Sequence, residues 1–172
     1  MSIKIIYSKK LNEKSSSNLV LFASEKFNIN SLKKHLSNSE FSYINDLLKT
    51  SDLKKNMFVF EVNSKKKIIL ISIKKDLKNF DIENLGAEFY GRINYGKNSE
   101  YFVNSDSIIT KHENFLGLFL HGLKLKSYEF NKYKTKKETR ILSINIFGNK
   151  NKPSNQNQLK FKALEEGTFY AR

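Results

Sequence analysis

The chain has 172 residues, of which 39% are hydrophobic, a formal net charge of +14 and no cysteine. That length suits one domain able to bury a real core, and the lack of cysteine excludes disulfides, thiolate catalysis and cysteine-based zinc sites together. No apolar run approaches the roughly 18 residues of a membrane helix, and the opening MSIKIIYSKK is too short in its apolar part for a secretory signal, so a cytoplasmic chain with no membrane segment is expected.

Residues 3–7 alternate weakly and predict a first strand, followed by a polar loop over 9–18. Residues 19–23, LVLFA, form a short continuous apolar run of the kind found in strands buried on both faces. Asn30 and Ser31 suit the cap of a short helix ending near Leu36. After Ser39, the residues Phe41, Ile44, Leu47 and Leu48 lie at helical spacing and predict one apolar face. Two further strands are expected over 57–62 and 68–73, and the polar stretch 63–67 between them is short enough for a hairpin.

Asp81 is expected to cap a helix carrying Ile82, Leu85, Phe89 and Ile93, and residues 101–103 to form a short strand. The longest helix is expected over 110–128, with a stripe of Phe115, Leu116, Phe119, Leu120 and Leu123. Residues 141–147 predict a last strand, closed by Gly148; 149–158 predict a polar, mobile loop; and a final helix is expected from Leu159 onward. Several fully apolar strands interspersed with helices imply an α/β fold with a mixed sheet and helices on both faces. The one plausible boundary falls in the polar loop, giving a sheet domain over 1–150 and a loop and helix over 151–172.

Catalytic chemistry is not legible. The 17 acidic residues are scattered apart from Glu165 and Glu166, and His35, His112 and His121 are isolated from one another. Two-metal catalysis needs several carboxylates converging on one place, so no metal, catalytic or cofactor residue is assigned. His112 and His121 read as a surface and a helix-packed histidine. Gly117 and Gly122 have the spacing of a phosphate loop, but Leu123, Lys124 and Leu125 follow where Gly-Lys-Ser/Thr is required. Small residues that let a neighbouring helix approach are the better account.

The segment 124–137 interleaves lysines with aromatics. Lys124, Lys126, Tyr128, Lys132, Tyr133 and Lys134 could neutralise and stack single-stranded nucleic acid. A plainer account has the lysines answering the negative pole of a helix end while the aromatics pack inward. Arginine, the better phosphate and base reader, occurs only at Arg92, Arg140 and Arg172 among 31 basic residues. The excess of lysine therefore reads as compositional drift rather than a dedicated site, and a nucleic-acid partner is the alternative.

The order Ser-Tyr-x-Phe-x-x-Tyr-Lys-Thr within GLFLHGLKLKSYEFNKYKTK, residues 117–136, resembles the last helix and turn of the N-terminal domain of the leucyl (cytosol) aminopeptidases, metallopeptidase family M17. The closing EGTFYAR, residues 166–172, resembles that family's linker helix, and NLGAEFYG, residues 84–91, fits another of its helices. The resemblance implies a macro-domain-like fold, and it makes this chain the non-catalytic half of a metal-dependent exopeptidase that removes N-terminal amino acids from peptides. It also implies, for the whole enzyme, two divalent metals (zinc or manganese) held in a C-terminal catalytic domain and a hexameric assembly. The family's "NTDAEGR"-type metal motif has no counterpart here, so none of its site residues carries over. An exposed apolar patch at the final helix, where the catalytic domain would dock, is an expectation. A free-standing nucleic-acid module and a macro-type nucleotide-binding domain are the rival readings.

Overall fold

The computed structural model describes residues 2–8, 18–94, 100–128 and 141–171. Among these residues six strands form one sheet: β1 (Ser2–Ser8), β2 (Asn18–Ser24), β3 (Met57–Glu61), β4 (Lys67–Ile73), β5 (Glu100–Asn104) and β6 (Ile141–Phe147). Their spatial order is β1-β6-β5-β2-β4-β3. Every neighbouring pair is parallel except β3 with β4, the expected hairpin, in which Phe58 pairs with Leu70 and Phe60 with Ile68. Among the described residues four α-helices accompany the sheet: α1 (Asn38–Thr50), α2 (Asn79–Ile93), α3 (Phe115–Ser127) and α4 (Asn155–Tyr170).

The continuous apolar runs become the central strands because both of their faces are covered. On one face Val20, Phe22, Ile69, Ile71, Val103 and Ile144 meet α2 and α3. On the other, Leu19, Leu21, Ile68 and Leu70 meet Ile44 and Leu48 of α1. This is the mixed sheet with helices on both faces that the pattern implied.

α2 and α3 lie against each other at backbone distance. A Cβ on Gly86 would clash with the Phe119 carbonyl oxygen, and one on Gly122 with the Glu83 carbonyl oxygen. Each glycine thus admits the other helix's main chain.

Several local expectations shift. α1 starts at Asn38, just before the stripe, and is capped by Ser37: the Ser37 hydroxyl accepts from the Glu40 N–H at 3.3 Å, and the Glu40 carboxylate accepts from the Ser37 N–H at 3.0 Å. Asp81 is not the cap of α2 but lies one turn in, where its carboxylate accepts from the Lys78 N–H at 2.9 Å. The segment 30–35 is a short 3-10 helix, its entry held by Asn28 accepting from the Asn30 N–H. α3 starts at Phe115 rather than at 110, because Thr110 turns its hydroxyl onto the His112 N–H. It is also buried all round from Phe115 to Leu123, not along one stripe. α4, with 16 residues, is longer than α3.

The expected mobile loop over 149–158 is shorter and pinned. Ser154 accepts from the Asn157 N–H and starts α4 at Asn155. Upstream, one oxygen of Asp106 accepts from the N–H groups of both Asn149 and Lys150, at 2.8 and 2.7 Å.

The capping box of α1 gives a pH prediction. Burial disfavours the Glu40 charge, but hydrogen bonds from Lys66 and Ser37 outweigh it and lower the carboxyl's pKa. A lowered carboxylate pKa means stability that is present above the unfolded value of 4.5 and lost as pH falls through the folded value. Glu40→Gln is expected to cost about 1 kcal/mol at neutral pH and to flatten the acid loss, as read by urea unfolding at neutral and acid pH.

Candidate functional site

The groups with the richest chemistry meet at the seam between α3 and α4. α4 presents Asn157, Phe161, Glu165 and Phe169, one residue per turn at a spacing of four. Each meets a partner on α3 or at its ends. The Asn157 amide donates to the Asn114 side chain. Phe161 lies over Gly117, its Cε2 2.6 Å from where a Cβ would sit. Glu165 is met by both His121 and Lys124, which share a face of α3 because they are three residues apart. Phe169 stacks on Tyr128 with ring centroids 4.3 Å apart, and the Tyr128 hydroxyl donates to the Phe169 carbonyl at 3.1 Å.

Glu165 is the centre of the seam. It is 5% exposed, so its carboxylate needs partners to remain charged. Nδ1–H of His121 donates to one oxygen at 3.2 Å and the Lys124 ammonium to the other at 2.8 Å. Among the described residues His121 Nε2 has no protein partner.

A cleft of about 460 Å³ opens beside this group, between β1, α3 and α4. Its apolar side is Ile3, Ile5, Leu120 and Phe161, and Tyr7, His121, Lys124 and Lys162 supply polar groups. Tyr7 is 36% exposed, and burial of the rest of it, helped by the Glu165 charge, pushes its hydroxyl up to about 12. The unfolded chain would ionise Tyr7 from about 10 upward while the folded chain holds the proton. The resulting stability is present below 10 and lost as pH rises toward 12. An alkaline absorbance titration of wild type minus Tyr7→Phe is expected to isolate one tyrosine near 12; a difference curve centred on 10 would contradict the burial.

The sequence-predicted residues separate. Lys124 belongs to the seam, Lys126 is exposed, and Tyr128 is turned onto Phe169. Lys132, Tyr133 and Lys134 lie outside the described residues. The three histidines stand in three places: His35 Nδ1 is 3.0 Å from the Asn104 amide, His112 Nε2 is 2.9 Å from Asn79, and His121 is in the seam. His112 is half-buried rather than a surface residue. Burial, and secondarily Lys34, lower the His35 pKa. Among the described residues no three His, Asp or Glu side chains gather as a metal site would require, so the metal pair implied by the resemblance has no ligand set there.

Open parallel sheets bind ligands beyond the carboxyl ends of their strands, where the order reverses. Here that place, between the ends of β2 and β5, is filled by the protein's own groups. The Ser107 hydroxyl accepts from the Phe22 N–H at 3.0 Å and donates to the Asn104 carbonyl at 2.7 Å. Gly148 has φ +123°, and a Cβ on it would clash with the Ser105 hydroxyl.

The seam itself escaped sequence reading. His121 and Glu165 are 44 positions apart, and no spacing links them. The available signal was that α4's apolar residues, Leu159, Phe161, Leu164, Phe169 and Tyr170, do not keep to one stripe, as in a helix with more than one neighbour.

No family model and no curated sequence matches the chain. Among solved structures it is similar to a tomato leucine aminopeptidase variant, with TM-score 0.67 and 14% identity over 96% of this chain and 36% of that one. It is also similar to the bottromycin maturation enzyme BotP in complex with Mn, with TM-score 0.58 and 9% identity over 92% of this chain and 31% of that one. The chain thus spans about a third of either protein, and at these identities the likeness is one of fold.

Proposed function

We propose that this chain is the non-catalytic N-terminal domain of a leucyl-aminopeptidase-type enzyme, a cytoplasmic metalloexopeptidase, and that its task is to pack on a catalytic domain and support assembly. The observation that carries this reading is the extent of the fold likeness. It takes in 96% of this chain but 36% of a leucine aminopeptidase, as a domain of such an enzyme should. The sequence resemblance in residues 117–136 and 166–172 is to the same family.

α4 supports the docking role. Besides the residues spent on the seam, it carries Leu159, Leu164 and Tyr170 at 68%, 49% and 92% exposure. Such apolar groups on a helix already packed on one side suit a second layer. In this reading zinc or manganese and the hexamer belong to the whole enzyme. Among the described residues no helix is long and apolar enough to cross a membrane. In the described part of the basic segment the ring of Tyr128, which the nucleic-acid alternative would use for stacking, is already stacked on Phe169.

The direct test is hydrolysis of leucine amide by this chain after metal stripping and reloading with manganese or zinc. No hydrolysis above the metal-only blank is expected. Turnover by the chain alone would overturn the division of roles.

A further inference from the structure

We propose that the cleft between β1, α3 and α4 binds a small monocarboxylate with an aliphatic tail. The cleft has about 460 Å³, within the range of small-molecule sites, and it has the composition such sites show, an apolar wall with a few polar groups. Ile3, Ile5 and Leu120 make the wall, and a branched aliphatic chain fits it better than a sugar or a nucleotide.

The polar groups select the charge. The cleft's one carboxylate, Glu165, is already engaged on both oxygens by His121 and Lys124. It therefore offers little to a cationic ligand. Lys124 spends one of its three N–H donors on Glu165, and its ammonium is still partly open, with a side-chain exposure of 31%. Lys162 adds an ammonium without a carboxylate partner among the described salt bridges. Tyr7 adds a neutral hydroxyl donor. A single carboxylate meets these donors in charge-assisted hydrogen bonds.

This inference is independent of the aminopeptidase reading and is tested on the whole chain. The probe is 4-methylpentanoate, followed by methyl NMR of Ile3, Ile5 and Leu120, with 4-methylpentan-1-ol and acetate as comparisons. Saturating shifts of these methyls are expected at a Kd of about 1 mM, with the alcohol and acetate each at least roughly tenfold weaker. Lys162→Glu, an exposed change that leaves the seam intact, is expected to weaken binding by about tenfold, and Tyr7→Phe by severalfold. Equal binding of the alcohol, unchanged affinity in Lys162→Glu, or no methyl shift at concentrations about twentyfold above that Kd would overturn the site.

Discussion

Gly122→Ala is expected to destabilise the protein by about 3 kcal/mol, near the upper end of overpacking effects. The added Cβ would be driven into the Glu83 carbonyl oxygen and into that residue's Cα. Main chain cannot rotate away as a side chain can, so the relief is to move α2 off α3. That movement opens the layer in which Phe89 lies against Phe119, with ring centroids 5.5 Å apart. Gly86→Ala should behave alike from the opposite side, since its Cβ would meet the Phe119 carbonyl. Gly91→Ala is the control. It lies in the same helix with nothing within 4 Å of the new methyl, so it should gain about 0.5 kcal/mol from helix propensity. Chemical denaturation of the three variants reads the contrast. A mild effect of Gly122→Ala, matching that of Gly91→Ala, would mean the two helices do not approach at backbone distance.

Glu165→Ala is expected to release α4 from the sheet domain while the rest stays folded. The substitution leaves the buried His121 Nδ1–H without its acceptor and frees Lys124, at a cost of about 2 kcal/mol; Lys124 is partly exposed, which keeps this below the figure for a fully buried pair. What remains of the seam is the Asn157–Asn114 hydrogen bond, Phe161 over Gly117 and the Phe169–Tyr128 stack. Amide hydrogen exchange should therefore rise through residues 155–170 and little in β2 and β4, which are buried from both faces. Uniformly raised exchange would show that α4 and the sheet unfold as one unit. Glu165→Gln should be milder, because the amide oxygen still accepts from one partner.

Most of the sheet was legible because its strands obey a simple rule. Residues 19–23 and 68–73 are apolar without interruption, and a strand of that composition must be covered on both sides. The hairpin followed from five polar residues, 63–67, between the strand-like stretches 57–62 and 68–73. Gly117 and Gly122 were legible as points of close approach, and both admit a neighbour: the Phe161 ring at one and the α2 backbone at the other. Helix ends were less so. Polarity over 149–158 suggested a loop, yet Ser154 caps α4 and its first-turn Asn157 and Gln158 find partners in Asn114 and the Pro153 carbonyl. The start of α3 was misplaced because Thr110 and His112 satisfy each other locally.

The site was the least legible part, for a physical reason. Lys124 reads in sequence as one lysine of a basic segment, and its meaning depends on a carboxylate 41 positions away. Tyr7 owes its setting to β1 lying beside β6 at the sheet's edge, a pairing between residues at opposite ends of the chain. Long-range partners of this kind leave no periodicity to detect. Only a family resemblance bears on them, and it concerns the fold rather than the seam.

The measurement that tests the domain reading most directly is the intact mass of the native polypeptide in its source cells, captured with an antibody raised against this chain. A species more than twice the 20.1 kDa of the present sequence is expected, because the fold likeness covers about a third of the aminopeptidase chain. A native polypeptide of about 20.1 kDa, with no larger species, would contradict the account and leave a free-standing module.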